Sequence, residues 1–188
     1  FAGVAFSRNE FRWSPRIQRE DGLLRLVPGL GTRAVDRLTD DYPVLLAPGQ
    51  PDLRVNASFD EVIRYSPKMV DVIDLQDNCF VTRRFHELVK ELGEDWPAIR
   101  LLVSVVRDGR FQRPMPYTTD YAKEPTVCTF EALISTTLFV RQVSTMMAQL
   151  EEALGSPVDI EFAHDGARLH LLQCRPQSQS PDDRAAVI

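Results

Sequence analysis

The stretch that most narrows what this chain can become is 158–176, VDIEFAHDGARLHLLQCRP. Val158, Ile160 and Phe162 alternate with Asp159, Glu161 and Ala163, the period of a strand with one apolar face. Asp165-Gly166 then supplies a turn and 169–172 a second apolar run, so the stretch predicts a β-hairpin. It carries a carboxylate at Glu161, a carboxamide at Gln173 and a guanidinium at Arg175. Such a set could hold a divalent cation and the phosphates that the cation neutralises. It could equally be a plain solvated strand face, and residue chemistry alone leaves both readings open.

A register condition bears on the choice. A two-residue turn at Asp165-Gly166 would pair Ala163 with Arg168 and Glu161 with His170, sending Gln173 to the opposite face. Both side chains can serve one metal only if the loop holds an odd number of residues or a bulge shifts the pairing.

The remaining sequence reads as an ordinary globular chain. Its 188 residues suffice for one domain with a proper core. A composition of 44% hydrophobic and 26% charged residues with net charge -5 argues against non-specific nucleic-acid or membrane-surface binding. Cys79, Cys128 and Cys174 are odd in number and form no CxxC pair, which suggests neither disulfides nor zinc and fits a reducing cytoplasm. No apolar run approaches the ~20 residues of a membrane span. The chain begins at Phe1 inside an apolar run, and so reads as a piece of a longer polypeptide.

Taken in order, residues 3–6 and 23–27 are strand candidates, and the second runs into Pro28-Gly29-Leu30-Gly31. A Gly-x-Gly without a third glycine reads as a tight turn ahead of a phosphate cradle, with Thr32 capping a short helix through Leu38. Residues 70–75 suggest a strand whose Asp71 and Asp74 read as solvated or turn-forming acids rather than metal ligands. Thr82 is expected to cap a helix that buries Phe85, Leu88, Val89 and Leu92 and stops at Gly93, with His86 on its polar side. The apolar run 99–106, with Asp108-Gly109, predicts a second hairpin, and 112–128 a long loop, either a connection or a lid. Residues 130–154 predict one long amphipathic helix, with Met146 and Met147 as core fillers. The expected architecture is α+β, an antiparallel sheet with packed helices.

Three stretches, GVAFSRN at 3–9, PGLGTRAVDR at 28–37, and VDIEFA with LLQCRP at 158–163 and 171–176, carry a resemblance. The chain resembles the nucleotide-binding region of the phosphoenolpyruvate synthase and pyruvate phosphate dikinase family, an ATP-grasp domain. The resemblance implies ATP and Mg²⁺ as cofactors, with Glu161 and Gln173 on magnesium and Arg175 reaching the phosphates as the catalytic group. It further implies Asp159 in the outer shell and Ser7 and Arg8 facing the nucleotide. Residues 1–176 would be the C-terminal portion of the domain and 177–188 a polar tail or linker. An acid often stands four residues before the first glycine of the Gly-Leu-Gly turn, but here that residue is Arg25, and no contact by such an acid is carried over.

The family's lysine and arginine on the phosphates would precede Phe1, and its phosphocarrier histidine stands in a Thr-Ser-His context. His86, His164 and His170 stand in none. The pyruvate-binding barrel does not fit within 188 residues beside this domain. The chain is therefore expected to bind ATP weakly or not at all by itself and to have no dikinase activity alone. It would act with the remainder of its own polypeptide on pyruvate or another small phosphate acceptor. The alternative is a regulatory module that senses nucleotide with the same fold.

Overall fold

The computed structural model describes residues 1–35 and 41–178. The expected reach of the first helix to Leu38 and most of the polar tail lie outside them. The main sheet has five antiparallel strands in the order β10-β9-β1-β2-β3, with β1 at Ala2–Phe6, β2 at Leu23–Val27, β3 at Val44–Leu46, β9 at Val158–His164 and β10 at Leu169–Pro176. Two smaller sheets join it. One is the hairpin of β4 (Met69–Asp74) and β5 (Cys79–Arg84), and the other places β6 (Val103–Arg107) between β7 (Arg110–Gln112) and β8 (Thr126–Cys128). The fold is α+β and antiparallel throughout its named ladders, as the sequence predicts.

Strand alternation sorts the main sheet into two unlike faces. Ala5, Leu24, Leu26, Leu46, Val158, Ile160 and Phe162 point into the main core with α5 (Glu131–Thr136) and α6 (Phe139–Leu154), and the Phe139 and Phe162 rings lie 5.8 Å apart. The opposite face holds a small apolar group, Val4, Val27 and Ala34, with Phe6 against it. Ala34 belongs to α1 (Thr32–Val35), which packs on β1 and β2 beside the rest of that face.

Three expectations change for identifiable reasons. Thr82 lies within β5 and caps nothing, because 79–84 pairs residue for residue with β4, and α3 (Phe85–Leu92) starts only at Phe85. The 99–106 run opens as helix α4 (Ile99–Leu102) before β6, since an apolar run broken only by Arg100 and Ser104 has no clear period with which to choose. The long helix is broken at Thr137–Leu138. The Thr136 and Thr137 hydroxyls turn back to the carbonyls of Ala132 and Leu133, and Thr137 Oγ1 then accepts the Phe139 N–H at 3.1 Å to restart the helix. The long loop before β8 is fastened down, with Glu124 paired to Arg107 and the Tyr121 hydroxyl donating to Glu94 at 3.1 Å.

Candidate functional site

The hairpin forms with a register that the turn alone would not give. Asp165 Oδ1 accepts the N–H groups of Ala167 and Arg168 at 2.8 and 2.7 Å, and Gly166 takes φ 102, so the loop holds four residues, 165–168. Leu169 faces His164, His170 faces Ala163 and Leu171 faces Phe162. Continued straight, this even register would set Gln173 against Ile160. Instead the pairing shifts between Leu171 and Gln173, Leu172 is the extra residue, and Gln173 becomes the Cα partner of Glu161. Arg175 then faces Asp159, so Asp159, Glu161, Gln173 and Arg175 all share the face opposite the main core.

The row continues across the sheet. Glu161 faces Val4, Val4 faces Arg25, and Arg25 faces Leu45. Along it run a carboxamide, a carboxylate, a buried valine and a half-buried guanidinium. Neither Glu161 nor Gln173 makes a side-chain hydrogen bond among the described residues. Asp159 is differently employed. Only 7% exposed, it accepts Arg175 Nε at 2.8 Å and lies 2.7 Å from Nη2, while the Arg175 side chain stays 54% exposed. The hydrogen bond to Asp159, and next its charge, hold the guanidinium more firmly protonated than usual.

Ser7 and Arg8 sit apart from this group. The Ser7 hydroxyl is buried and accepts the Val158 N–H at 2.8 Å, tying the exit of β1 to the start of β9. Arg8 turns to Glu151 of α6, with Nη2 to Oε1 at 2.5 Å. Its backbone N–H and C=O are bracketed by the carboxamide of Gln177 at 3.0 and 2.9 Å, so Gln177 is tied to the sheet. Among the described residues no three His, Cys, Asp or Glu side chains gather as a metal site. A magnesium set here would combine one carboxylate with one carboxamide, both oxygen donors, which is chemistry that Mg²⁺ accepts.

The Gly-Leu-Gly turn and Asp71 take other roles. Gly29, at φ 71, lies so close to β4 that a Cβ would stand 2.4 Å from Val70 Cγ2 and 2.5 Å from the Asp71 carbonyl oxygen. That carbonyl accepts the Leu30 N–H at 2.9 Å, so the glycine serves a backbone contact, as a tight turn requires. Asp71 is no solvated acid. It is 5% exposed and accepts the hydroxyls of Thr32 at 2.5 Å and Thr82 at 2.7 Å. The buried Arg33 guanidinium lies 3.8 Å from both Asp71 and Asp41, and Asp41 in turn accepts the N–H groups of Lys68 and Met69. Sequence reasoning missed this knot because its members are scattered from 32 to 82. Asp74 does form a turn, accepting the N–H groups of Gln76 and Asp77.

The model of the pyruvate phosphate dikinase AMP/ATP-binding domain family matches residues 1–188. The chain belongs to that family. Its members' domain binds AMP or ATP, and the expected α+β, ATP-grasp-like fold accords with it. No curated protein matches the chain in a sequence search. Among the described residues no helix is long and apolar enough to cross a membrane.

Proposed function

We propose that the open face of β9 and β10 is the magnesium- and phosphate-holding part of an ATP-dependent phosphotransferase site of the dikinase type. The observation that carries this reading is the one-residue shift at Leu172, which sets Gln173 opposite Glu161 on one face with neither side chain hydrogen-bonded among the described residues. Bound magnesium would supply positive charge to the nucleotide phosphates, and Mg²⁺ commonly takes few protein ligands while keeping several waters. Glu161 and Gln173 would hold it through a carboxylate and an amide oxygen. Arg175 spends Nε and Nη2 on Asp159 and keeps its remaining donors for phosphoryl oxygens. Asp159 thereby orients Arg175. Phosphoryl transfer asks mainly for such positioning and charge neutralisation.

The acceptor that the family resemblance implies is pyruvate or another small phosphate acceptor, and the three free cysteines accord with a cytoplasmic setting. Residues 1–176 act as one part of an ATP-grasp domain. Gln173 and Arg175 are exposed, so this chain alone offers ATP one wall and no enclosure, and weak binding is expected. The test is made in the full polypeptide. Glu161→Gln and Gln173→Ala should each lower kcat/KM for MgATP by about 10²-fold with Tm unchanged. Unchanged turnover in both variants would overturn the assignment. Calorimetry giving micromolar MgATP affinity for the 188-residue chain alone would overturn the expectation of weak binding.

A further inference from the structure

A second concavity wraps the outer edge of β3, at the opposite edge of the main sheet from β10. It measures about 460 Å³, within the range of small-molecule sites. Val44 and Cys128 reach it from the main-core side of the sheet, α2 (Phe59–Tyr65) and the 52–57 loop roof it, and β6 and β7 close it from behind. The segment over it is well anchored. Trp13 Nε1 donates to the Leu53 carbonyl at 3.0 Å, Ser58 and Glu61 form a reciprocal cap on α2, and the Phe59 and Phe111 rings lie 4.7 Å apart. Its walls are thus folded structure, while the space stays partly open to solvent.

Its chemistry is selective. The rings of Tyr65 and Phe111 and the aliphatic chains of Val44, Leu45 and Val62 give flat apolar walls. Most directional groups are uncharged, and the charged ones are Asp52, Arg54 and Glu131. Ser104 and Thr129 share a hydroxyl pair at 2.7 Å, the Ser66 hydroxyl donates to Ile63 C=O at 3.1 Å, and the Asn56 carboxamide has no hydrogen-bond partner among the described residues. The cationic lining group, Arg54, is already bound to Glu131 at 2.8 Å, which leaves no uncompensated positive charge for a phosphate or carboxylate. Burial raises the Cys128 thiol well above its usual range, so it remains protonated there.

We propose that this cavity is a second small-molecule site, for a neutral or cationic aromatic or heteroaromatic ring carrying hydrogen-bonding groups. It would hold roughly ten to twenty non-hydrogen atoms. Leu45 is the Cα partner of Arg25, so a ligand against β3 touches the row that ends at Glu161 and Gln173. The site itself does not depend on the role given to Glu161.

The experiment is a calorimetric titration of the full polypeptide with three probes that share one ring: indole, indole-3-acetate and tryptamine. Indole and tryptamine should bind saturably, and indole-3-acetate about tenfold or more weakly, because its carboxylate would enter beside Asp52 with Arg54 already paired to Glu131. Val62→Trp, which fills the cavity, should abolish indole binding while MgATP binding and Tm persist. Equal or tighter binding of indole-3-acetate than of indole overturns the ligand class. Absence of indole binding up to about 5 mM, or its survival in Val62→Trp, overturns the site. Loss of MgATP binding in Glu161→Gln with indole binding intact would keep the two sites separate.

Discussion

The two long hairpins of this domain treat their acids in opposite ways. In β4–β5 all six pairs, from Met69 with Arg84 to Asp74 with Cys79, keep one register, and Asp71 is buried with both oxygens hydrogen-bonded. In β9–β10 the register slips at Leu172, and Glu161 lies on the open face with no hydrogen bond among the described residues. An acid whose oxygens are consumed by the fold stabilises it. An acid left with a carboxamide opposite and an arginine beside it is disposed toward a ligand. Sequence identity alone does not separate the two, since both stand in short β-branched strands.

The contrast can be broken most strongly at Asp71. Asp71→Ala strands two threonine hydroxyls and removes a carboxylate beside buried Arg33, so denaturant unfolding should show a loss of about 3 kcal/mol or more. Gly29→Ala attacks the same hairpin from its neighbour. The added carbon meets Val70 and the Asp71 carbonyl at a positive φ, and a loss of roughly 1 to 3 kcal/mol is expected by the same measurement. Deleting Leu172 sharpens the other side. It removes the extra residue while leaving Gln173 next in line to face Glu161, so MgATP turnover of the full polypeptide should stay within about threefold, under 1 kcal/mol. A collapse of turnover would show that the bend matters as much as the alignment.

The smallest effect is the pH response of the Asp165 turn. Its carboxylate is held far below the usual range by the His170 hydrogen bond and then by the Arg168 and Ala167 amides. A depressed folded pKa means that Asp165 stabilises the native hairpin fully above its unfolded pKa, near 4, and loses this as pH falls. Wild-type protein should therefore lose more stability than Asp165→Asn on acidification below about pH 4.

Much of this was legible in the chain. Strict alternation through Val158, Ile160 and Phe162 gave β9 and its apolar face, and LLRLV marked β2 to the residue. The bulge was legible only as a condition, because Leu171 and Leu172 are alike and a doubled leucine has no period to betray which one is extra. The site residues carried over by resemblance divide in space. Asp159, Glu161, Gln173 and Arg175 meet on one face, whereas Ser7 and Arg8 fasten β1 to its neighbours. Asp71 could not be read correctly, since its partners Thr32 and Arg33 lie about forty residues away and local pattern carries no trace of them.

The slip at Leu172 also bears on solubility. β10 is the outermost strand of its sheet, and Leu171 and Leu172 are 42% and 63% exposed there. A straight, leucine-bearing outer strand is a template onto which a foreign strand can zip, the first step of edge-to-edge aggregation. The bulge breaks the even spacing that such zipping needs, and Pro176 withholds an amide hydrogen at the strand's end. The residue that aligns the pair on the open face thus also guards the margin of the sheet.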